Sequence, residues 1–501
     1  MKKYFSIVFI LFLFSCKKQL TEKVYSDITA NTFYKTATDA NAALYGVYNN
    51  LNRSPFSDWD THLYTLVFMP NRYVISRVGF RKVYGNFTYG VSDDALTTVW
   101  RSGFLTINRA NAVINRVPGI TMDETQKKQI VAEAKFLRAL TYFNLVRLFG
   151  GVPLKTTETT SLDDINVPRS TAIAVYDLII SDLKEAETTL SDKRIASEKG
   201  RATSGSASAL LGRVYLTMAG SPLKQADKWA MAKDKFKFII DNKARWGYDL
   251  MPDYADIFSL TKENNQEVIF AIQNSWQTGQ GSVLAFWNAP PNSTFATANG
   301  QYHYGFTTEF RDLFTATDTI RRNVTLVNSY VDIKGQTITY NAPGVPHGYK
   351  DPNGIALGKF KDGGGGAPTN VNHKNDVLVI RYADILLMYA EAENEVSGPT
   401  AGALDALNLV RARARTSQLT GLNQASFRDA VYMERILELS GELTEFFDIQ
   451  RLGKLEETIK NSPEAKLTNT AYNAKFLLYP IPQLELDANT KIEQADQNPG
   501  W

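Results

Sequence analysis

Residues 124–153 read ETQKKQIVAEAKFLRALTYFNLVRLFGGVP. Ile130, Ala134, Leu137, Leu140, Phe143 and Val146 recur every three or four positions, which a helix turns into one apolar face. Gly150-Gly151-Val152-Pro153 then ends it: glycine suits the left-handed position beyond a helix, and proline cannot extend the ladder. The same periodicity predicts helices over 39–51, 97–116, 171–190, 203–219 and 227–241, and again over 377–396, 401–415 and 424–441. Leu211-Gly212 with Tyr215, then Ala232 with Phe236, matches half of a tetratricopeptide repeat, whose small and aromatic positions let paired helices nest. Several such pairs in series predict an array of helical hairpins.

Between the two helical regions the composition shifts to Gly, Asn, Thr, Pro and aromatics, as in Asn288-Ala289-Pro290-Pro291-Asn292 and the run Gly363 to Gly366. Long loops follow, with short strands at 266–273 and 326–340, and an extended Pro- and Asn-rich tail is expected beyond residue 441. The fold class is therefore mainly α: tetratricopeptide-like helical hairpin pairs with an inserted loop-rich module containing short strands. The expected organisation is a signal peptide at 1–15, a helical region at 16–244, a loop-rich recognition module at 245–376, and C-terminal helices with a tail at 377–501.

The N-terminus supplies the signal peptide. Lys2 and Lys3 precede an apolar and aromatic run from Tyr4 to Phe14, interrupted only by Ser6 and too short to span a bilayer. Its end, Leu13-Phe14-Ser15-Cys16, looks like a bacterial lipobox, with Cys16 as the acylated residue. Cys16 is the only cysteine among 501 residues, so a mature chain has no internal disulfide and no cysteine-built metal site. The formal net charge of +3 falls to +1 without residues 1–15, leaving no field to recruit nucleic acid. With 44% hydrophobic residues the remainder is a large globular body, held to a membrane by lipid.

Four stretches form an ordered set. The first runs from Glu133-Ala134-Lys135-Phe136-Leu137-Arg138-Ala139 through Tyr142-Phe143 to Arg147-Leu148-Phe149-Gly150-Gly151-Val152-Pro153. The second runs from Ile380-Arg381-Tyr382-Ala383-Asp384 to Ala392, then Ala403-Leu404 and Asn408-Leu409-Val410-Arg411-Ala412-Arg413-Ala414. The third holds Glu434-Arg435, Glu438-Leu439, Glu442, Phe446-Phe447-Asp448-Ile449 and Arg451. The fourth is Pro480-Ile481-Pro482 with Glu485, ending Gln497-Asn498-Pro499-Gly500-Trp501. Together they resemble the SusD/RagB family of nutrient-binding outer-membrane lipoproteins. Leu443 and Glu445 stand where the family usually has glycine and arginine, and Lys17-Lys18-Gln19 lacks the acidic cluster associated with surface export. Arg381, Asp384, Glu391 and Arg411 are placed to pair across one packing face, so the motifs read as scaffold. The resemblance implies a lipid anchor in the outer membrane facing outward, capture of an oligosaccharide or other oligomeric nutrient, and delivery to a SusC-like TonB-dependent β-barrel transporter.

No catalytic constellation is legible. His62, His303, His347 and His373 are isolated in sequence and read as solvated or hydrogen-bonded loop residues, and no nucleophile elbow or phosphate loop occurs. Glu309 and Asp312 have the spacing of solvated positions on one helix face, although two carboxylates suffice for glycoside hydrolysis. Asp351 and Asn353 before Gly354 echo only the start of a calcium loop, so no cofactor is expected. The stronger signal is aromatic: Trp276, Trp287, Tyr302 and Tyr304 lie among amides and hydroxyls, and Trp59, Tyr73 and Tyr84 lie in an earlier stretch. Flat rings beside amides suit the apolar faces and polar rims of sugars, whereas the same rings also serve as satellite core under loops. A surface glycoside hydrolase and a helical scaffold or adhesin remain the rival readings. Replacing Cys16 with alanine is expected to abolish fatty-acid labelling and release the protein from membranes; retention of both would overturn the anchor.

Overall fold

The computed structural model describes residues 33–52, 61–277, 279–296, 300–327, 329–339, 354–362 and 372–501. The first half is helical: α1 (Ala37–Leu51), α2 (Leu63–Phe68), α3 (Gly79–Gly85), α4 (Asp94–Arg116), α5 (Glu124–Phe149), α6 (Ala172–Thr189), α7 (Ser204–Ala219) and α8 (Asp227–Asp241). Polar side chains set their starts. Thr36 and Asp39 form a capping box at α1, Thr203 and Ser206 do so at α7, and Asp123 accepts the Gln126 N–H at 2.8 Å at α5. Gly150 ends α5 at φ +73°, a conformation that glycine adopts without a Cβ clash. Consecutive helices from α4 to α8 pack on one another. Where α7 meets α8, a Cβ on Gly212 would come within 2.6 Å of the Phe236 ring, so the half-repeat motif marks a close helical approach.

The second half contains α9 (Leu284–Asn288), α10 (Thr308–Asp312), α11 (Thr319–Thr325), α12 (Tyr382–Ser397), α13 (Ala401–Arg413), α14 (Gln424–Leu439), α15 (Glu445–Arg451), α16 (Leu455–Asn461), α17 (Pro463–Leu467) and α18 (Gln483–Ala488). Helix α8 packs directly on α12, so the hairpin array continues across the inserted loops. The strands are short and pair in twos: β1 (Val74–Ser76) and, later, β2 (Val268–Ile272), β3 (Tyr304–Phe306), β4 (Leu326–Val327), β5 (Ser329–Val331), β6 (Thr337–Thr339), β7 (Ala356–Leu357) and β8 (Val377–Arg381). Antiparallel pairing joins β1 to β3, β2 to β8, β4 to β7 and β5 to β6.

Three differences from the sequence expectation have physical causes. Residues 377–381 are strand, not the first turn of a helix: Val377, Val379 and Ile380 are β-branched, and β2 lies ready to pair with them. The stretch 326–340 is broken into β4 and the β5–β6 hairpin, which turns at Gly335 with φ +78°. The tail contains α15 to α18, each of five to seven residues. Helices this short have too few turns to show a period and depend on tertiary packing for stability.

From Ala132 onward α5 is buried almost all round, well beyond the single apolar stripe. Its polar residues are consequently paired. Glu133 takes a two-pronged contact from Arg201 at 2.9 and 2.5 Å, Arg138 binds Asp182 at 2.8 Å through two nitrogens, and Arg147 lies over the rings of Phe143 and Phe447. The final carbonyls of α5 are capped from the far end of the chain. Gln450 donates to Arg147 O at 3.0 Å, the Tyr479 N–H to Leu148 O at 2.8 Å, and Asn498 to Phe149 O at 2.9 Å. Trp501 stacks on Tyr89, with ring centroids 5.2 Å apart.

A buried ion cluster joins the loop-rich insertion to the C-terminal helices. Arg381, 1% exposed at its side chain, binds Glu267 at 2.7 Å, Glu438 at 2.6 Å and Glu442 at 2.6 Å. Lys359 binds Glu442 at 2.6 Å, Arg413 binds Glu267 at 3.0 Å, and Arg321 reaches Asp318, Glu434 and Glu438. Arg381, Asp384, Glu391 and Arg411 do not pair with one another as the sequence suggested. Each finds its partner on another segment: Asp384 meets Arg213 and Arg435, Glu391 meets Arg451, and Arg411 meets Glu434. The cause is helix geometry, since Asp384 faces α7 and α14 and Glu391 faces α15 rather than their own neighbours.

Burial pushes the Asp384 carboxyl up, but the charges of Arg213 and Arg435 outweigh it and hold the group at about 2. A depressed carboxylate contributes stability in full above its unfolded value of about 4 and loses it as pH falls toward 2. Urea unfolding is therefore expected to show falling stability over that window, with a smaller fall in Asp384→Asn. Arg381→Met, which removes one cationic partner from each of three buried carboxylates and leaves them Arg413, Arg321 and Lys359, is expected to cost about 3–5 kcal/mol at neutral pH; a loss below about 1 kcal/mol would contradict the role given to this cluster.

Candidate functional site

A cavity of about 510 Å³ opens among the described residues. It forms where β1 pairs with β3, Val74 opposite Phe306 and Ser76 opposite Tyr304, because this ladder brings α3 beside α9 and the segment before β3. The walls are the start of α2 with Thr61, His62 and Thr65, the α3 residues Phe80, Arg81 and Tyr84, the start of α4 with Asp93 and Asp94, and Trp287 and His303.

Arg81 organises the inner wall. It is buried and donates to Thr65 Oγ1 at 2.6 Å and to the Tyr304 hydroxyl, while its guanidinium carbon stands 3.9 Å from the centroid of the Trp287 ring. The Trp287 ring in turn stacks on the His303 imidazole at 5.2 Å and 23°. The backbone N–H of His303 donates to the backbone carbonyl of Trp287 at 2.7 Å, which holds the two residues side by side. On the opposite wall the Tyr84 hydroxyl donates to Asp93, whose carboxylate also caps α4 at the Ala95 N–H, 3.0 Å away. Phe80 stands at the mouth with 67% of its surface exposed.

Burial lowers His62 to about 4, with the Arg81 charge acting in the same direction and Asp94 against it. Burial and then Arg81 lower His303 to about 3. Both imidazoles are therefore neutral near pH 7 and offer one donor and one acceptor each. Burial and the neighbouring Asp93 push the Tyr84 phenol far up, so it stays protonated. The cavity thus offers aromatic faces and neutral hydrogen-bonding groups, a combination suited to uncharged polyhydroxylated rings.

The structure distributes the aromatic candidates unevenly. Tyr84 and Trp287 line the cavity, and Tyr304 supports it from behind through Arg81 and Thr65. Tyr73 lies elsewhere, buried against Phe310 with its ring 5.7 Å away and the Arg72 guanidinium over its own ring, 5.1 Å from the centroid. Trp276 donates to Asp362 at 2.8 Å on another face. Tyr302 is fully buried at φ +48° in a satellite cluster with Val327, Tyr330 and Ala356. Trp59 and Cys16 lie outside the described residues, as do His347, Asp351 and Asn353.

Phe80, Arg81, His62 and His303 were not singled out by sequence as site residues. No local sequence signal sets Phe80 apart, since its neighbours Gly79 and Arg81 do not distinguish an exposed ring from a core one and Arg81 is itself buried. His373, read as a loop residue, is fully buried 3.5 Å from Asp362, because β8 draws the preceding residues into the interior. Glu309 and Asp312 pair with Arg72 and Arg311 at the surface. Among the described residues no group of three or more His, Cys, Asp or Glu is arranged to hold a metal ion.

Comparison with known proteins fits this architecture. The SusD family model matches residues 266–501, and a second, described as starch-binding associating with outer membrane, matches residues 24–216. The chain is similar to SusD-like protein P2 of Formosa agariphila, 28% identical over the full length of both. A SusD superfamily protein from Parabacteroides distasonis has a solved structure that is 26% identical, with a TM-score of 0.79 over 95% of this chain and all of that one. A laminarin-binding SusD-like protein is 27% identical, with a TM-score of 0.77 over 93% of this chain and all of that one. With both halves of the sequence matched by these models and the helical array shared with the solved structures, the chain belongs to the SusD-like family.

Proposed function

We propose that this protein binds an oligosaccharide in the cavity bounded by Phe80, Tyr84, Trp287 and His303 and delivers it to a SusC-like TonB-dependent barrel in the outer membrane, to which Cys16 tethers it through lipid. The observation that carries the proposal is the pairing of an exposed ring at the mouth, Phe80, with a fixed Trp287–His303 stack inside. A pyranose lays its C–H face on such rings while its hydroxyls meet the neutral imidazoles and the threonine hydroxyls. Further support comes from the laminarin-binding relative of the same fold and from the description of the family model as outer-membrane associated.

Binding without hydrolysis is the better reading. The carboxylates lining the described cavity are Asp93 and Asp94, and Asp93 is engaged by both Tyr84 and the α4 cap. Glycosidase chemistry needs one raised and one free carboxyl flanking the bond. The physics of a tether supports the barrel partnership: two partners held in one membrane reach a high effective concentration, so a lasting complex needs less intrinsic affinity.

Phe80→Ala is expected to weaken binding of the cognate oligosaccharide by about 1–3 kcal/mol, roughly 5- to 150-fold in Kd, with an unchanged thermal midpoint because Phe80 is exposed. Calorimetry across a panel including laminarihexaose checks this, and unchanged affinity would exclude the cavity. For the partnership, mild detergent extraction and affinity purification are expected to co-purify a TonB-dependent receptor. Recovery of the lipoprotein alone, under conditions that keep known barrel complexes intact, would favour the adhesin reading.

A further inference from the structure

We infer that the chain carries a second, independent sugar-binding cleft at the C-terminal end of α1. A separate cavity of about 200 Å³ opens there, sharing no lining residue with the first. Its one wall is α1, where Tyr45, Tyr48 and Asn49 fall at positions i, i+3 and i+4 and therefore on one helical face, continued by the C-cap residue Asn52. The facing wall is the 199–201 segment, and the floor is the end of β2, residues 270–273.

The ring of Tyr45 is half exposed, and one side of it is backed by the Arg201 guanidinium, 5.6 Å from the centroid. Arg201 cannot drift, because buried Glu133 grips it through both oxygens at 2.9 and 2.5 Å. The Tyr48 hydroxyl closes the base by donating to Glu133 at 2.8 Å and accepting the Ala202 N–H at 2.9 Å. Gly200, at φ +90°, brings the 199–201 segment so near Gln273 that a Cβ would sit 2.4 Å from the amide carbon. The cleft is thus held rigid from both sides while its mouth stays open.

The groups at the mouth have spare bonding capacity. Asn49 is exposed and its amide makes no hydrogen bond to a described residue, and Lys199 forms no ion pair with one. A fixed aromatic face flanked by a free amide and a free ammonium matches a sugar ring, whose C–H face stacks on the tyrosine while its hydroxyls take the polar donors. A globular partner protein would instead need an extended apolar surface, which a cleft of this size does not offer.

The test is hydroxyl-radical footprinting of the full mature chain with laminarihexaose, cellohexaose and an alginate hexasaccharide, read at Tyr45 and separately at Phe80. At least one saccharide is expected to protect Tyr45, and that protection is expected to persist in Phe80→Ala. Tyr45→Ala is expected to lose the second binding event by five-fold or more, whereas Tyr45→Phe keeps it, with thermal midpoints unchanged in both. Absence of Tyr45 protection by every saccharide, or its disappearance together with the first site in Phe80→Ala, would overturn the inference. Loss of Phe80 protection alone would count against the first cavity and leave the second cleft standing.

Discussion

The Arg381 guanidinium, sunk in the interior, is the contact on which the arrangement of the two halves depends. Its donors need three carboxylates at once: Glu267 just before β2, Glu438 in the last turn of α14 and Glu442 in the turn that follows it. A buried arginine with an unfilled donor is costly, so β8 settles only where the insertion and the C-terminal helices have both arrived. Lys359 and Arg321 repeat the constraint from deeper within the insertion. Such clusters add little net stability compared with an apolar core of the same volume, and their contribution is to define which segments meet. Apolar contacts then consolidate the join, as where Phe136 of α5 meets Phe270 of β2 edge to face, 4.9 Å apart.

How much of this was legible in the sequence depended on range. The long helices were readable because each carries several turns of its own apolar period, and Gly150 and Gly212 announced a stop and a close approach in local terms. The ion partners were not readable: Arg381 and Glu438 declare that they need opposite charges but not which ones, and helix-face reasoning offered the nearest candidates instead of the true ones. The cavity shows the same limit. Trp287 and Tyr84 stood out by composition, whereas Phe80, His62 and His303 become neighbours only through the β1–β3 ladder, whose strands lie far apart in the chain. Tyr302 had the same sequence context as Trp287 yet is sealed beneath loops. Composition alone cannot distinguish a ring that faces a cleft from one that fills a gap.

The departure at Leu443 and Glu445 also acquires a physical meaning. Leu443 sits at φ +62°, the left-handed conformation that glycine would occupy freely, at a cost of roughly 1–2 kcal/mol for a residue with a Cβ. The leucine side chain is buried, which offsets part of that cost. Glu445 does not seek an arginine. Its carboxylate accepts the N–H groups of Gly441 and Thr444, and burial outweighs these bonds, bringing the group up to about 7. The turn before α15 is thus held by backbone donors to a carboxylate.

The capping of α5 by Gln450, Tyr479 and Asn498 bears on the order in which this molecule can be made. The central helix emerges early in synthesis, but its last carbonyls, and the aromatic layer beneath Trp501, find their partners only in the final fifty or so residues. Contacts so distant along the chain carry a large loop-closure cost and form late. The chain therefore lacks a finished core throughout most of its elongation. That delay defers final compaction until the C-terminal segments have been made, so a truncated chain leaves the end of its central helix uncapped.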